Sequence, residues 1–218
     1  MDGVGIHSIM NQRAAVDVFG EWAESGRDEG MERGHSQSVE AMLELVLQKV
    51  EHSFTAIDIG CGNGWVVRRL QAMERCISAS GIDGAAPMIA KAKSLDPDGE
   101  YSLGQLPDWS PQNAVDLIHS MECLYYLHEP MAFLQTMYSE WLNPGGWAVL
   151  GMDHYLENPS SHDWPESLNV HMSTQSIEEW KQGLAHAGFT EIQHFQVGEK
   201  EDWGGTLVLL AHKPFTQE

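Results

Sequence analysis

The chain has 218 residues, 42% of them hydrophobic, and this length suits one domain with one sizeable core. A formal net charge of −20 argues against nucleic acid and anionic membrane surfaces as partners, because a field of that sign repels phosphate groups. A neutral or cationic small molecule is compatible with this charge. The negative charge is equally compatible with a simple role in solubility or in adaptation to salt or acid.

The sequence contains no pattern typical of a metal site, a disulfide framework or a membrane span. Its three cysteines lack CxxC spacing, and its eleven histidines follow no HExxH or similar ligand spacing. No stretch approaches the roughly 20 apolar residues needed to cross a bilayer. Residues 1–4 carry no basic patch before an apolar run, so we expect no signal peptide and a cytoplasmic location.

The N-terminal part of the chain predicts two helices. In the first, apolar side chains recur at helical spacing, at positions 16, 19, 22 and 23. A charged, glycine-bearing stretch follows at residues 24–34 and is too polar to be core. The second helix has an apolar face made of Val39, Met42, Leu43, Val46, Leu47 and Val50. Ser36 or Ser38 is the expected N-cap of this helix.

From residue 53 onward, predicted strands alternate with predicted helices. The strands are expected at residues 54–59, 76–82, 100–103, 114–120, 147–153, 191–197 and 206–212, and the helices at 65–73, 85–94, 131–142 and 176–187. This alternation predicts an α/β fold with a Rossmann-like, seven-stranded, mainly parallel sheet covered by helices on both faces. The last two strands lack a connecting helix, so the C-terminal strand should be antiparallel.

A glycine-rich loop, Asp58-Ile59-Gly60-Cys61-Gly62-Asn63-Gly64, ends the first predicted strand and enters a helix. Such a loop lets the backbone approach a ligand, and dinucleotide-binding folds share it. Trp65, however, occupies the position of the third dinucleotide glycine, and Asp58 would repel a pyrophosphate. A carboxylate there suits the amino end of a cationic ligand. Asp83 ends the next strand, where it can accept ribose hydroxyls or cap a helix.

Three further segments follow the loop in order. They are Gly81-Ile82-Asp83 with the helix that follows it at 88–92, the strand motif at 115–120, and the turn Leu142-Asn143-Pro144-Gly145-Gly146. Together the four elements resemble class I S-adenosylmethionine-dependent methyltransferases from about residue 54 to the end. Asn143 stands where that family usually has lysine. The resemblance implies one methyltransferase domain over residues 1–218, with a helical lid at 1–52 and a cofactor-binding core at 53–218.

The resemblance also implies S-adenosylmethionine as the cofactor and S-adenosylhomocysteine as its product. The residues expected to contact the cofactor are Asp58, Gly60, Cys61, Gly62, Asp83, Gly84, Met88, Ser102, Leu103, Ser120, Met121 and Trp22. Asp83 would hold the ribose, and Gly84 and Met88 would border the adenine. Ser102 departs from the aspartate that the family usually carries for the adenine amino group, so this contact would lack a charge.

Three segments, 22–35, 120–126 and 153–158, resemble a group of little-characterised archaeal and bacterial members of the family. The first would be a lid, and we expect all three to converge where the strands end. The expected substrate contacts are Arg27, Met31, His35, Tyr125, Tyr126, Tyr155 and Glu157. Arg27 is expected to pair with a carboxylate. Packing of an N-terminal helix beside a solvated charged loop is the alternative interpretation.

Methyl transfer by in-line displacement mainly requires alignment, and a general base is needed only when the nucleophile starts protonated. The predicted candidates are Glu122, which directly follows the fourth strand, and His154. Glu157, His162 and His171 are alternatives. Glu122 could instead cap a helix or pair with Arg27, and each histidine could be structural.

The sequence predicts methyl transfer to a small-molecule acceptor, with no nucleic acid and no membrane as partners. Two other functions stay open. A nicotinamide-dependent oxidoreductase shares the sheet and the glycine loop, but must accommodate Trp65 and Asp58. A non-enzymatic module would bind S-adenosylmethionine without passing its methyl group to any acceptor.

Overall fold

Seven strands form a single sheet in the computed structural model, which describes residues 12–215. They are β1 (Phe54–Ile59), β2 (Cys76–Asp83), β3 (Glu100–Leu103), β4 (Val115–Met121), β5 (Leu142–Met152), β6 (Thr190–Val197) and β7 (Thr206–His212). Their order is β3-β2-β1-β4-β5-β7-β6, with β7 antiparallel to both neighbours and the other pairs parallel. The predicted fold class is therefore confirmed.

Helices cover both faces of this sheet. They are α1 (Ala15–Ser25), α2 (Asp28–Leu47), α3 (Trp65–Gln71), α4 (Ala86–Leu95), α5 (Pro130–Thr136), α6 (Trp164–Leu168) and α7 (Ile177–Ala187). Side chains alternate along β1, so that Ile57 and Ile59 join one hydrophobic core while Phe54 and Ala56 join the other. Residues of α5 and α7 fill the first core, and residues of α2, α3 and α4 fill the second.

Residues 1–11 and 216–218 lie outside the described range, and the segment used to predict the absence of a signal peptide lies with them. Within residues 12–215, no helix combines the length and the apolarity that crossing a bilayer requires. The boundary at residue 52 between a lid and a core stays a prediction, although α1 and α2 do precede the first strand.

The second helix begins eight residues before Ser36 and ten before Ser38, so the prediction that one of these serines is its N-cap was wrong. Helix α2 starts at Asp28 and takes in most of the charged stretch, because Asp28 is buried and accepts hydrogen bonds from Asn63 and Lys91. These are tertiary contacts that local sequence does not show. Ser36 bonds back to its own helix, and the Ser38 hydroxyl lies 2.7 Å from the Thr206 hydroxyl on β7.

The fifth strand also begins earlier than expected, at Leu142 instead of residue 147. Helix α5 ends at Thr136, and a π-helical turn, Met137–Trp141, replaces the predicted continuation. The Pro-Gly-Gly segment is held in the strand because Gly145 and Gly146 exchange backbone hydrogen bonds of 2.8 and 2.9 Å with Lys213. Lys213 lies some 70 positions further along the chain, so this pairing leaves no local mark in the sequence. The Pro-Gly-Gly pattern therefore predicted a turn where the strand in fact continues.

Candidate cofactor-binding and active site

A cavity of 370 Å³ lies where β1, β2 and β4 end, beneath α1 and α2. Its size falls within the roughly 300–1,000 Å³ usual for small-molecule sites. The floor is formed by the glycine-rich loop, and the roof by side chains of the two N-terminal helices, including Val16, Phe19 and Met31. The position agrees with the rule that open α/β sheets bind ligands at the carboxyl ends of their strands.

The glycine-rich loop has a backbone that only glycine adopts easily. Gly60, Gly62 and Gly64 have φ angles of 74°, 53° and 80°. A Cβ on Gly60 would lie 2.7 Å from Cys123, whereas one on Gly62 would meet nothing closer than Met88 at 3.9 Å. The loop is therefore packed against protein at its first glycine and leaves room at its second, where the cavity lies.

Two aspartates lie on the cavity floor, Asp58 buried and Asp83 half-buried. Asp58 Oδ1 lies 2.7 Å from His119 Nδ1, and both side chains are buried. Asp83 accepts hydrogen bonds from the backbone N–H groups of Gly62, at 2.9 Å, and Ala85, at 2.8 Å. Burial raises the pKa of Asp83 above its ordinary value, and these two donors act against that shift. Asp83 is not the N-cap of α4, because that position belongs to Ala85.

Glu122 forms the opposite wall, just beyond β4, in a backbone conformation that is rare for this residue type, with φ of 56°. Its carboxylate accepts the Tyr125 hydroxyl at 2.6 Å and the backbone N–H of Asp153. Burial raises the pKa of Glu122 well above its ordinary range, and the nearby Asp153 raises it further. Asp153 in turn lies 3.7 Å from the imidazole of His35 on α2.

The geometry can now be compared with known proteins. A family model described as a methyltransferase domain matches residues 21–194. Trans-aconitate 2-methyltransferase of Escherichia coli is 32% identical over 121 residues, which are 55% of this chain and 46% of that protein. The chain thus spans about half the length of the curated relatives it matches.

Solved structures show the same fold. A Haloferax volcanii chain, described as a methyltransferase in complex with the Trm112 methyltransferase activator, is 26% identical with a TM-score of 0.79, covering 94% of this chain and 100% of that one. A DhpI complex with S-adenosylhomocysteine has a TM-score of 0.70 at 18% identity, covering 94% of this chain and 97% of that one. The chain belongs to the class I S-adenosylmethionine-dependent methyltransferases.

The cavity of this methyltransferase suits a cationic cofactor. Its lining carries five carboxyl groups, from Asp28, Glu32, Asp58, Asp83 and Glu122. Among the lining residues described, Arg13 is the one arginine, and no lysine is present. Such a lining complements an ammonium and a sulfonium group, and it would repel the pyrophosphate of a dinucleotide.

The structure brings together many of the residues that sequence reasoning selected. The predicted residues that line the cavity are Met31, His35, Asp58, Gly60, Cys61, Gly62, Asp83, Gly84, Met88, Met121, Glu122 and Tyr126. They come from the lid segment, the glycine-rich loop and the segment after β4. The third segment meets the other two through Asp153, which lies 3.7 Å from His35 and donates its backbone N–H to Glu122.

Several predicted cofactor contacts lie outside the cavity lining and are corrected here. Leu103 is 54% exposed, and Gly104 and Gln105 form the cavity wall beyond β3, so the adenine contacts of Ser102 and Leu103 stay predictions. Ser120 is buried and donates to the carbonyl of Ile59.

Beyond Asp153, the predicted residues of the third segment do not line the cavity. His154 is buried, with its two ring nitrogens 3.0 Å from the Ser161 carbonyl and 2.8 Å from the Thr174 hydroxyl. Tyr155 is buried and donates to the carbonyl of Gly204. Glu157 accepts the backbone N–H of Ile177 at the start of α7. These residues hold the loop in place outside the cavity lining, and their catalytic and substrate roles stay predictions.

Three lid and wall predictions also need correction. Arg27 is exposed and forms no ion pair within residues 12–215, because it sits at the outer turn between α1 and α2. Trp22 packs against the hydrophobic core and makes an edge contact with Phe19, which lines the cavity in its place. Tyr125 is buried against Tyr126 and contacts the site through its hydroxyl, which donates to Glu122 at 2.6 Å and lies 3.4 Å from the Tyr126 hydroxyl.

Sequence reasoning missed other lining residues. No local motif marks Arg13, Val16, Phe19, Asp28 or Gln105. Only tertiary packing shows that these side chains face the cavity. The helical spacing of positions 16 and 19 could have predicted that these two side chains lie on the same side of the first helix. His128 and His171 also line the cavity, with rings stacked at 4.0 Å, and His171 was among the alternative bases. Burial, followed by the neighbouring His128, lowers the pKa of His171.

Proposed function

We propose that this protein transfers the methyl group of S-adenosylmethionine to a neutral or cationic small molecule bound in the cavity described above. The observation that supports this most is the carboxylate-rich lining at the carboxyl ends of the strands. One cavity beneath the lid would hold both cofactor and acceptor, which excludes water and allows the two reacting atoms to be aligned at roughly 3–3.5 Å.

Within this proposal, Asp83 and Asp58 have separate roles. Each oxygen of Asp83 accepts one backbone N–H and keeps a second lone pair, with which it can accept a ribose hydroxyl. Asp58, held by His119, would receive the ammonium of the methionine end. The loop glycines would let the backbone lie against the cofactor, since Gly62 has open space beside it.

The acceptor class follows from charge. The Escherichia coli relatives act on trans-aconitate, which is a tricarboxylate. Among the lining residues described, this cavity offers Arg13 against five carboxyl groups, of which Asp28 is paired with Lys91. The remaining excess of carboxyl groups would disfavour a polycarboxylate. Glu122 lies on the cavity wall, and each of its oxygens accepts one hydrogen bond. Each oxygen keeps a second lone pair, so a role as a general base would use a position that these two donors leave free.

A binding experiment tests the cofactor assignment. Calorimetry should show binding of S-adenosylhomocysteine and no comparable binding of NAD. Asp83→Asn should weaken binding by about ten- to a hundredfold, because a hydrogen bond to a charged group contributes about 1.5–3 kcal/mol. Asp98→Asn is the matched control, since Asp98 is exposed and far from the cavity lining. Preference for NAD would favour an oxidoreductase and would exclude our proposal.

A turnover experiment tests the reaction. The protein is incubated with S-adenosylmethionine and panels of amines, neutral hydroxyl compounds and polycarboxylates, and formation of S-adenosylhomocysteine is measured. We expect turnover with the first two panels and little with the third. Cofactor binding without turnover on any panel would instead indicate a non-enzymatic binding module.

A protein partner is a further possibility that we propose for this chain. The Haloferax volcanii neighbour was solved with the Trm112 activator. Here β3 is an edge strand. Leu103 at its end and Leu95 at the end of α4 are 54% and 52% exposed. An apolar strip along an open strand edge is a surface that another protein can cover. Co-expression with a Trm112-type protein, followed by size-exclusion chromatography, would show whether the two proteins elute together.

A further inference from the structure

Three potential metal ligands converge at the junction of lid and sheet, although they are far apart in sequence. His35 lies on α2, Glu122 follows β4, and Asp153 follows β5. One donor atom from each lies within 4.8 Å of the other two. A nitrogen and two carboxylate oxygens at these separations form a compact donor set on one wall of the cavity.

Asp153 points independently to a ligand at this place. Its side chain is only 8% exposed; burial raises the pKa of its carboxyl group, and the Thr206 hydroxyl acts to lower it. Its Oδ1 atom is nevertheless buried without a donor at hydrogen-bonding geometry among the described residues. Its other oxygen lies 3.7 Å from His35 Nδ1, beyond hydrogen-bonding distance. A buried carboxylate oxygen that lacks a donor is costly, so a cation or donor beside Asp153 would stabilise it.

We propose that His35, Glu122 and Asp153 bind one divalent cation. A mixed set of imidazole and carboxylate ligands suits Mn²⁺ or Zn²⁺ better than Mg²⁺ or Ca²⁺, which prefer oxygen alone. The cation would neutralise two carboxylates that otherwise repel each other at close range. With three protein ligands, it would leave a coordination position open toward the cavity.

An organic cation fits the same residues less well. His35 and Glu122 line the cavity, whereas Asp153 lies behind them and contributes nothing to the lining. An ammonium group entering with a substrate would reach the first two side chains and leave Asp153 unpaired. A metal ion is small enough to lie among all three donors, which is why the arrangement favours it.

The site would give Glu122 a role other than that of a free general base. Its φ of 56° is a rare backbone conformation for glutamate, and the side chain is held there by Tyr125 and the Asp153 backbone. A cation would join the lid helix α2 to the ends of β4 and β5 through His35. It would thereby hold the lid closed over the cavity, whichever acceptor the protein uses.

Metal titration of the whole chain tests this proposal. The protein is treated with EDTA, dialysed, and titrated with Mn²⁺ while the signal of free Mn²⁺ is followed by electron paramagnetic resonance, and with Zn²⁺ by calorimetry. We expect one ion per chain. Asp153→Asn and His35→Asn should each weaken binding by about tenfold or more. Glu44→Gln, on the same helix but exposed and outside the cavity lining, is the matched control and should bind as the wild type does.

Hydrogen exchange gives a second reading. Mn²⁺ should slow amide exchange along α2 in the wild type and in Glu44→Gln, but not in Asp153→Asn. If a variant fails to fold, anomalous diffraction from Mn²⁺-soaked wild-type crystals should show a peak among the three side chains. The proposal is overturned if no ion binds at about 1 mM, if both variants bind normally, or if the peak lies elsewhere. Binding of S-adenosylhomocysteine, measured separately, would leave the proposed function intact in that case.

Discussion

At the scale of single residues, the buried pair of Asp58 and His119 is the least replaceable feature of the cavity floor. The two atoms are 2.7 Å apart, and both residues are 2% exposed or less. His119 comes from β4 and Asp58 from β1, and the two are register partners in the sheet. We therefore propose that His119 is a positioning residue, which orients the Asp58 carboxylate toward the cavity.

Replacing His119 tests that role. His119→Leu removes the partner of a buried carboxylate, so we expect a loss of about 1–3 kcal/mol in stability and weaker binding of S-adenosylhomocysteine. His119→Gln keeps an N–H donor and should recover part of both. Thermal melts and calorimetry measure the two effects. If both variants bind the cofactor product as the wild type does, His119 does not position Asp58.

At the scale of elements, the N-terminal end of α2 is attached to the rest of the protein through its first residue. Asp28 is 3% exposed and accepts hydrogen bonds from Lys91 on α4, at 2.8 Å, and from Asn63 in the glycine-rich loop, at 3.0 Å. One carboxylate therefore connects the roof of the cavity with its floor. Burial acts to raise the pKa of Asp28, but the Lys91 and Asn63 contacts outweigh it, and the pKa lies below the ordinary 3.8.

This pKa shift predicts how stability depends on pH. A lowered pKa means that the folded state favours the carboxylate, so the Asp28 contribution is complete above pH 3.8 and is lost as the pH falls through the folded pKa. Asp28→Asn should therefore lower the melting temperature near neutral pH, corresponding to about 1–3 kcal/mol, and the difference from wild type should shrink below pH 3.8. Asp98→Asn should show neither effect. A difference that is independent of pH would contradict this account.

At the scale of the whole molecule, 32 acidic residues against 12 basic ones set the solution behaviour. Repulsion among exposed carboxylates opposes the compact state, and salt shortens its range from about 30 Å at 0.01 M to about 3 Å at 1 M. We expect the melting temperature to rise with KCl over that range. Choline chloride should act equally if screening is the cause. A melting temperature that does not change in either salt would contradict this prediction.

The order and type of the core elements could be predicted from the sequence because they depend on local patterns. Runs of apolar residues, glycine turns and helix starts determine the strands at 54–59, 100–103 and 206–212, and the structure agrees with them. The glycine-rich loop and Asp83 could be found for the same reason. A strand, a turn and a helix that follow one another place their junction residues at one edge of the sheet.

Only the tertiary structure decided which distant residues meet. Asp28 and Gln105 line the cavity, whereas Tyr155 and Glu157 support a loop, because helix crossing and strand pairing act between residues far apart in the chain. The sequence by itself determined a methyltransferase core and its cofactor loop, since short-range backbone geometry sets both. The joining of lid and sheet depended on long-range packing, which leaves no periodic pattern in the sequence.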